Sequence, residues 1–171
     1  MHYCGYIITD KIPTEEEIKT ILEPYNEETH KNLEFAWDWF EIGGRYCGKL
    51  KIKFDPEETD ENWFGGKDRN YKYFISKELK EIKENLRYYE ELEHLRYMGL
   101  NEKILYVDGA YYKDIINFDI TKCWFIIDDK GKLYSRELWR DYNWIEDTQF
   151  DEKAKEIELN NKFITVVDIH D

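Results

Sequence analysis

At 171 residues and 21.0 kDa the chain has the length of one domain, enough to bury a core without disulfides or a structural metal. Aromatic residues at 17% beside charged residues at 37% exclude simple disorder, because disordered chains lack the aromatics that build a core. The 25 Lys and Arg against 38 Asp and Glu leave a net charge of -13, which opposes non-specific binding to nucleic acid or anionic lipid and suits solubility or a basic protein partner.

His2 to Thr9 is a short apolar and aromatic run that reads as a strand. Thr14 then caps a helix, with Glu17 three residues on as its capping-box partner and Ile18, Ile21 and Leu22 as its apolar stripe; Pro24 ends it. Phe35 to Phe40 is aromatic and Gly43-Gly44 breaks it. From Arg45 to Phe54, Leu50, Ile52 and Phe54 alternate with Lys49, Lys51 and Lys53, the pattern of a half-buried strand.

Asp55 to Asn70, with Pro56 and Gly65-Gly66, reads as a loop. Ser76 starts a long helix whose Leu79, Ile82, Leu86, Tyr89, Leu92 and Leu95 recur at three and four residues until Gly99. Ile104 to Phe118 is ambiguous, with Asp108-Gly109 as a turn and a short helix over Tyr111 to Ile116. Cys123 to Ile127 and Lys132 to Leu138, joined by Asp128-Asp129-Lys130-Gly131, form a hairpin. A helix over Asp151 to Leu159 and a strand over Phe163 to Ile169 complete the order.

This order predicts an α+β fold with a mainly antiparallel sheet, ferredoxin-like in outline, as a single domain over 1–171 with a largely helical insertion at about 55–118. The first and last strands become antiparallel neighbours. Cys4, Cys47 and Cys123 are odd in number and lack C-x-x-C spacing, so reduced thiols and a cytoplasmic location are expected. No apolar run approaches membrane-helix length, and Met-His-Tyr-Cys-Gly lacks the basic start of a signal peptide.

Two constellations could carry chemistry. Trp37, Asp38 and Trp39 precede Gly43, Gly44 and Arg45, supplying stacking rings, close backbone approach and a phosphate-binding guanidinium, the ingredients of a nucleotide pocket. The same residues also suit a plain turn, with glycines at positive φ, tryptophans in the core and Arg45 paired to Asp38 or another carboxylate. No Walker loop or G-x-G-x-x-G is present, and no motif calls for a cofactor. Asp168 and His170, two apart on the last strand, point to one side of the sheet, and the expected pairing brings His2 near His170. Two imidazoles and a carboxylate suit a metal or acid–base catalysis, or simply lie at exposed strand ends. His30 and His94 read as surface residues.

The segments Pro24-Tyr25-Asn26-Glu27, Trp37-Asp38-Trp39-Phe40-Glu41-Ile42-Gly43-Gly44-Arg45-Tyr46, Asp129-Lys130-Gly131-Lys132 and Thr165-Val166-Val167-Asp168-Ile169-His170 resemble an uncharacterised family of bacteriophage and bacterial proteins. That family reads W-D-W-Y-x-I-G-G-R-W, P-D-G-x-W and T-V-V-D-C-H-I in the same order. This chain departs from it at Tyr46, Lys130, Leu133 and Ile169. The resemblance implies a phage or mobile-element setting, in which a protein that counters bacterial defence is expected beside the plainer alternative of an ordinary phage accessory protein. The expected function is to bind and sequester a nucleotide signal. The alternatives are an acidic inhibitor of a basic defence nuclease, or a phosphodiesterase with His170 and Asp168 as its catalytic pair.

Overall fold

A computed structural model describes residues 1–29, 36–53, 63–64, 104–140 and 143–170. The leucine-striped helix expected over about 76–98, together with His30 and His94, lies outside them.

Strand β1 (His2–Thr9) leads into helix α1 (Glu15–Leu22). The capping box forms as read, with Glu17 N donating to Thr14 Oγ1 at 3.1 Å and Thr14 N to Glu17 Oε2 at 2.8 Å. Pro24 diverts the chain into a 3-10 turn at Glu23–Tyr25. Then come β2 (Trp39–Ile42), a 3-10 turn at Gly44–Tyr46, β3 (Leu50–Lys53), β4 (Trp63–Phe64), β5 (Ile104–Val107) and β6 (Gly109–Tyr111). After these run β7 (Phe125–Ile127), β8 (Leu133–Ser135), β9 (Glu137–Arg140), β10 (Asn143–Glu146), α2 (Phe150–Lys155) and β11 (Phe163–His170).

The fold is α+β and its sheet is mainly antiparallel. The principal sheet runs β4-β6-β11-β1-β7-β8, and β2 also pairs with β11. β11 and β1 pair antiparallel along their full length, from His2 opposite His170 to Thr9 opposite Phe163. On its far edge β11 takes two short strands, β6 at Phe163 to Thr165 and β2 at Val167 to His170. The seam between them falls at Val166, whose N–H donates to Asp108 O at 2.7 Å and whose carbonyl accepts from Gly43 N at 2.8 Å.

A ferredoxin-like sheet would have only antiparallel neighbours; here β7 lies directly beside β1 and parallel to it, with Gly5 opposite Phe125. Four local expectations also change. Residues 63–64 of the expected loop pair with β6. The expected helix at 111–116 is one 3-10 turn, Tyr112–Asp114. The second hairpin strand divides at Arg136, whose N–H donates to Trp124 O at 3.0 Å, and β9 turns away to pair with β10. Helix α2 is also shorter than expected.

Alternation along β1 and β11 assigns the two faces. Ile7, Val167 and Ile169 pack with Ile18 and Leu22 of α1 and with Trp37. Cys4, Tyr6, Ile8, Ile164 and Val166 pack with Leu50 and Ile52 of β3 and Phe150 of α2. Each fully buried large side chain contributes about 1.5–3 kcal/mol, so the central strands are clamped between two apolar layers. Their even-numbered ends, His2 and His170, project where that core stops. No helix among the described residues is long and apolar enough to cross a membrane.

Candidate functional site

The seam at Val166 is held by two fully buried carboxylates. Asp108 Oδ1 accepts from Gly48 N at 2.8 Å, and Asp168 Oδ2 accepts from Arg45 N at 2.8 Å. Both carboxylates press onto the glycine turn. A Cβ on Gly43 (φ +73) would stand 2.6 Å from the Asp108 carboxylate, and one on Gly44 (φ +51) 2.4 Å from Asp168 Cβ. Positive φ and the absence of a side chain are therefore both required here. The turn is gripped through backbone N–H groups while the Arg45 side chain is exposed.

Asp168 also orients a histidine. His2 Nδ1 lies 3.0 and 3.2 Å from its two oxygens. The second histidine has its own carboxylate, with His170 Nδ1 at 3.0 Å from Asp38 Oδ1, and Asp38 N donates to His170 O at 2.9 Å. A carboxylate at Nδ1 holds the proton on that nitrogen and turns Nε2 away as the atom that meets a ligand. The two rings meet edge to face with centroids 5.0 Å apart. Trp39, opposite His170 in the β2–β11 register and 45% exposed, sets its ring 6.0 Å from that of His2. The site thus has two fixed imidazoles and an open indole.

The residues singled out in the sequence separate into three groups. Asp38, Trp39, Asp168 and His170 converge at the strand ends. Gly43, Gly44 and the Arg45 backbone build the turn beneath them. Trp37 is 4% exposed, donates its Nε1–H to Leu22 O at 2.8 Å and sets its ring edge-to-face with Phe40, so it belongs to the core. Asp168 bonds His2 across the strand pair, while the ring of His170, on its own strand, bonds Asp38. Asp108 escaped sequence reading, because a lone Asp-Gly carries only a turn signal. Among the described residues no set of three or more His, Cys, Asp or Glu could hold a metal ion.

A cleft of about 350 Å³ opens from His2 along Cys4, Tyr46 and Lys49 to Lys122. Tyr46 ties it to the histidine by donating its hydroxyl to His2 O at 3.1 Å. Burial pushes the Cys4 thiol up to about 11, against the pull of Lys49, and lifts Cys123 well above its usual range. Both remain thiols at neutral pH, which leaves imidazole as the reactive group of this region.

The raised thiol has a stability consequence. The unfolded chain ionises Cys4 from about pH 9, so its contribution is complete below that pH and is lost as pH climbs through about 11. The rise from about 9 to about 11 corresponds to roughly 2–3 kcal/mol. Melting curves from pH 8 to 11 should show a steeper alkaline decline for wild type than for Cys4→Ala; parallel curves would remove this role. The chain matches no family model, no curated protein and no solved structure, so the chemistry of the site rests on the site itself.

Proposed function

We propose that the protein cleaves a ribonucleotide phosphodiester by general acid–base catalysis at His2 and His170. The observation that carries this reading is the pair of apposed imidazoles, each held at Nδ1 by its own carboxylate. Such fixing serves proton transfer, where one imidazole must accept while another donates. It gives the cleaving reading more support than the sequestering one.

His2 Nε2 takes the proton of the ribose 2′-hydroxyl, and the buried Asp168 carboxylate stabilises the imidazolium that forms. The 2′-oxygen bonds to phosphorus, and the bond to the 5′-oxygen breaks. His170, entering as imidazolium, protonates that leaving oxygen. The products are a 2′,3′-cyclic phosphate and a free 5′-hydroxyl, with the proton count closed between the two imidazoles. Trp39 offers its exposed ring to a base, and Arg45 lies at the rim of the turn to counter phosphate charge. The phage resemblance extends the proposal to nucleotide signals of host defence as the natural substrates.

Incubation with a ribodinucleotide and its 2′-deoxy counterpart, followed by denaturation and chromatography, tests this directly. The ribo compound should return as cyclic phosphate and nucleoside, and the deoxy compound unchanged. Bound but intact ribodinucleotide would establish sequestration instead; no binding and no product would remove both readings.

A further inference from the structure

Beside β3, the segment around the 3-10 turn at Tyr112–Asp114 is fixed by an Ile52–Ile115 bridge and by Ile116 N donating to Lys51 O at 2.7 Å. A second cleft of about 420 Å³ lies between them, bordered by Lys49, Lys51, Phe118, Asp119 and Lys122. Lys49 and Lys122 border both clefts, which therefore lie side by side. Lys49 stands at the junction, its Nζ 5.7 Å from the Tyr6 ring centroid and 5.8 Å from that of Tyr46, so two aromatic rings hold the ammonium in place.

Three lysines against one carboxylate line this passage, in a chain whose net charge is -13. The carboxylate is Asp119, whose Oδ1 accepts the Thr121 hydroxyl at 2.7 Å and its N–H at 3.0 Å. Those bonds, the hydroxyl's foremost, hold its carboxyl below the usual range, so it is ionised and committed to its own turn. The acidic remainder repels extended duplex phosphate, and the local cations accept a short, flexible polyanion. Phe118 and Tyr46 add ring surface along the same path.

We propose that these adjoining clefts carry the nucleotides flanking the scissile phosphate, so that a short single-stranded ribo-oligonucleotide is held more tightly than a dinucleotide. The inference rests on the phosphodiester reading of the histidine pair. A basic groove with interleaved rings is the usual physical means of holding a single strand without sequence preference.

The test separates binding from cleavage by using a fluorescein-labelled 2′-O-methyl tetrauridylate, which lacks the attacking hydroxyl. Anisotropy should show it binding at least about tenfold tighter than the matching dinucleotide, with a log–log salt slope steeper than the dinucleotide's by about 1.4 for the two additional phosphates. Lys49→Gln with Lys122→Gln should erase that length preference, and Lys49→Arg, which keeps charge and ring contacts, should restore most of it. Equal affinity for the two lengths in wild type overturns the groove, as does displacement by tripolyphosphate at the same concentration as by unlabelled tetranucleotide. Length-dependent binding without cleavage of the unmodified tetranucleotide would leave the groove standing and remove the histidine chemistry, while cleavage without length dependence would do the reverse.

Discussion

His2→Asn should lower kcat on a ribodinucleotide by about 10²–10⁴-fold, the range that a positioned acid or base contributes. Asparagine is chosen because its amide nitrogen can stand where Nδ1 stands and donate to Asp168, preserving the bond that the buried carboxylate makes to His2. What disappears is Nε2. His170→Asn makes the same separation at the other ring, keeping a donor toward Asp38. If the imidazoles work as one acid–base pair, the double variant falls little below the poorer single variant, since groups acting as a unit are non-additive. The melting temperature should shift by only a few degrees in each case. Variants that cleave at the wild-type rate would reduce both bonds to strand-end fasteners.

The parts of this arrangement that local pattern encodes were legible. Thr14 and Glu17 state their capping box in sequence, and the structure forms both halves. Asp128 to Gly131 states its turn: Gly131 takes φ +78, and Asp128 Oδ1 accepts from the N–H of Lys130 and Lys132. The expected apposition of first and last strands put His2 opposite His170, as the register has it.

What was not legible depends on partners far apart in the chain. Spacing of two places Asp168 and His170 on one face but cannot say which ring the carboxylate reaches, and it reaches His2 across the strand pair. Nor could two tryptophans flanking one aspartate reveal which faced inward. Trp37 is drawn into the core by a parallel bridge to Asn26 and a backbone bond to Tyr25 O at 3.0 Å, both made before β2 begins. The parallel placement of β7 beside β1 is likewise a property of packing, since an apolar run of three residues carries no direction.

Gly44→Ala and Asp168→Asn should divide stability from chemistry at a single contact. The alanine Cβ would arrive 2.4 Å from Asp168 Cβ and 2.6 Å from Oδ2, with the backbone at φ +51. A non-glycine residue in that region costs about 1–2 kcal/mol, and driving the buried carboxylate off the Arg45 N–H adds about 1–3 kcal/mol. A loss of roughly 2–5 kcal/mol lowers Tm by about 10 °C for a chain of this size. Activity should fall with it, because His2 loses the group that orients it. Asp168→Asn acts differently. Its amide oxygen can still accept from Arg45 N, now at 2.8 Å from Oδ2, while its NH₂ faces His2 Nδ1. That donor obliges Nδ1 to become an acceptor and moves the imidazole proton to Nε2, the atom that must take up the 2′-hydroxyl proton. The protein should therefore melt within a few degrees of wild type yet lose activity by about 10²–10⁴-fold, the consequence of a histidine locked in the wrong tautomer. Equal damage to stability and rate in both variants would mean that Asp168 serves only to hold the glycine turn.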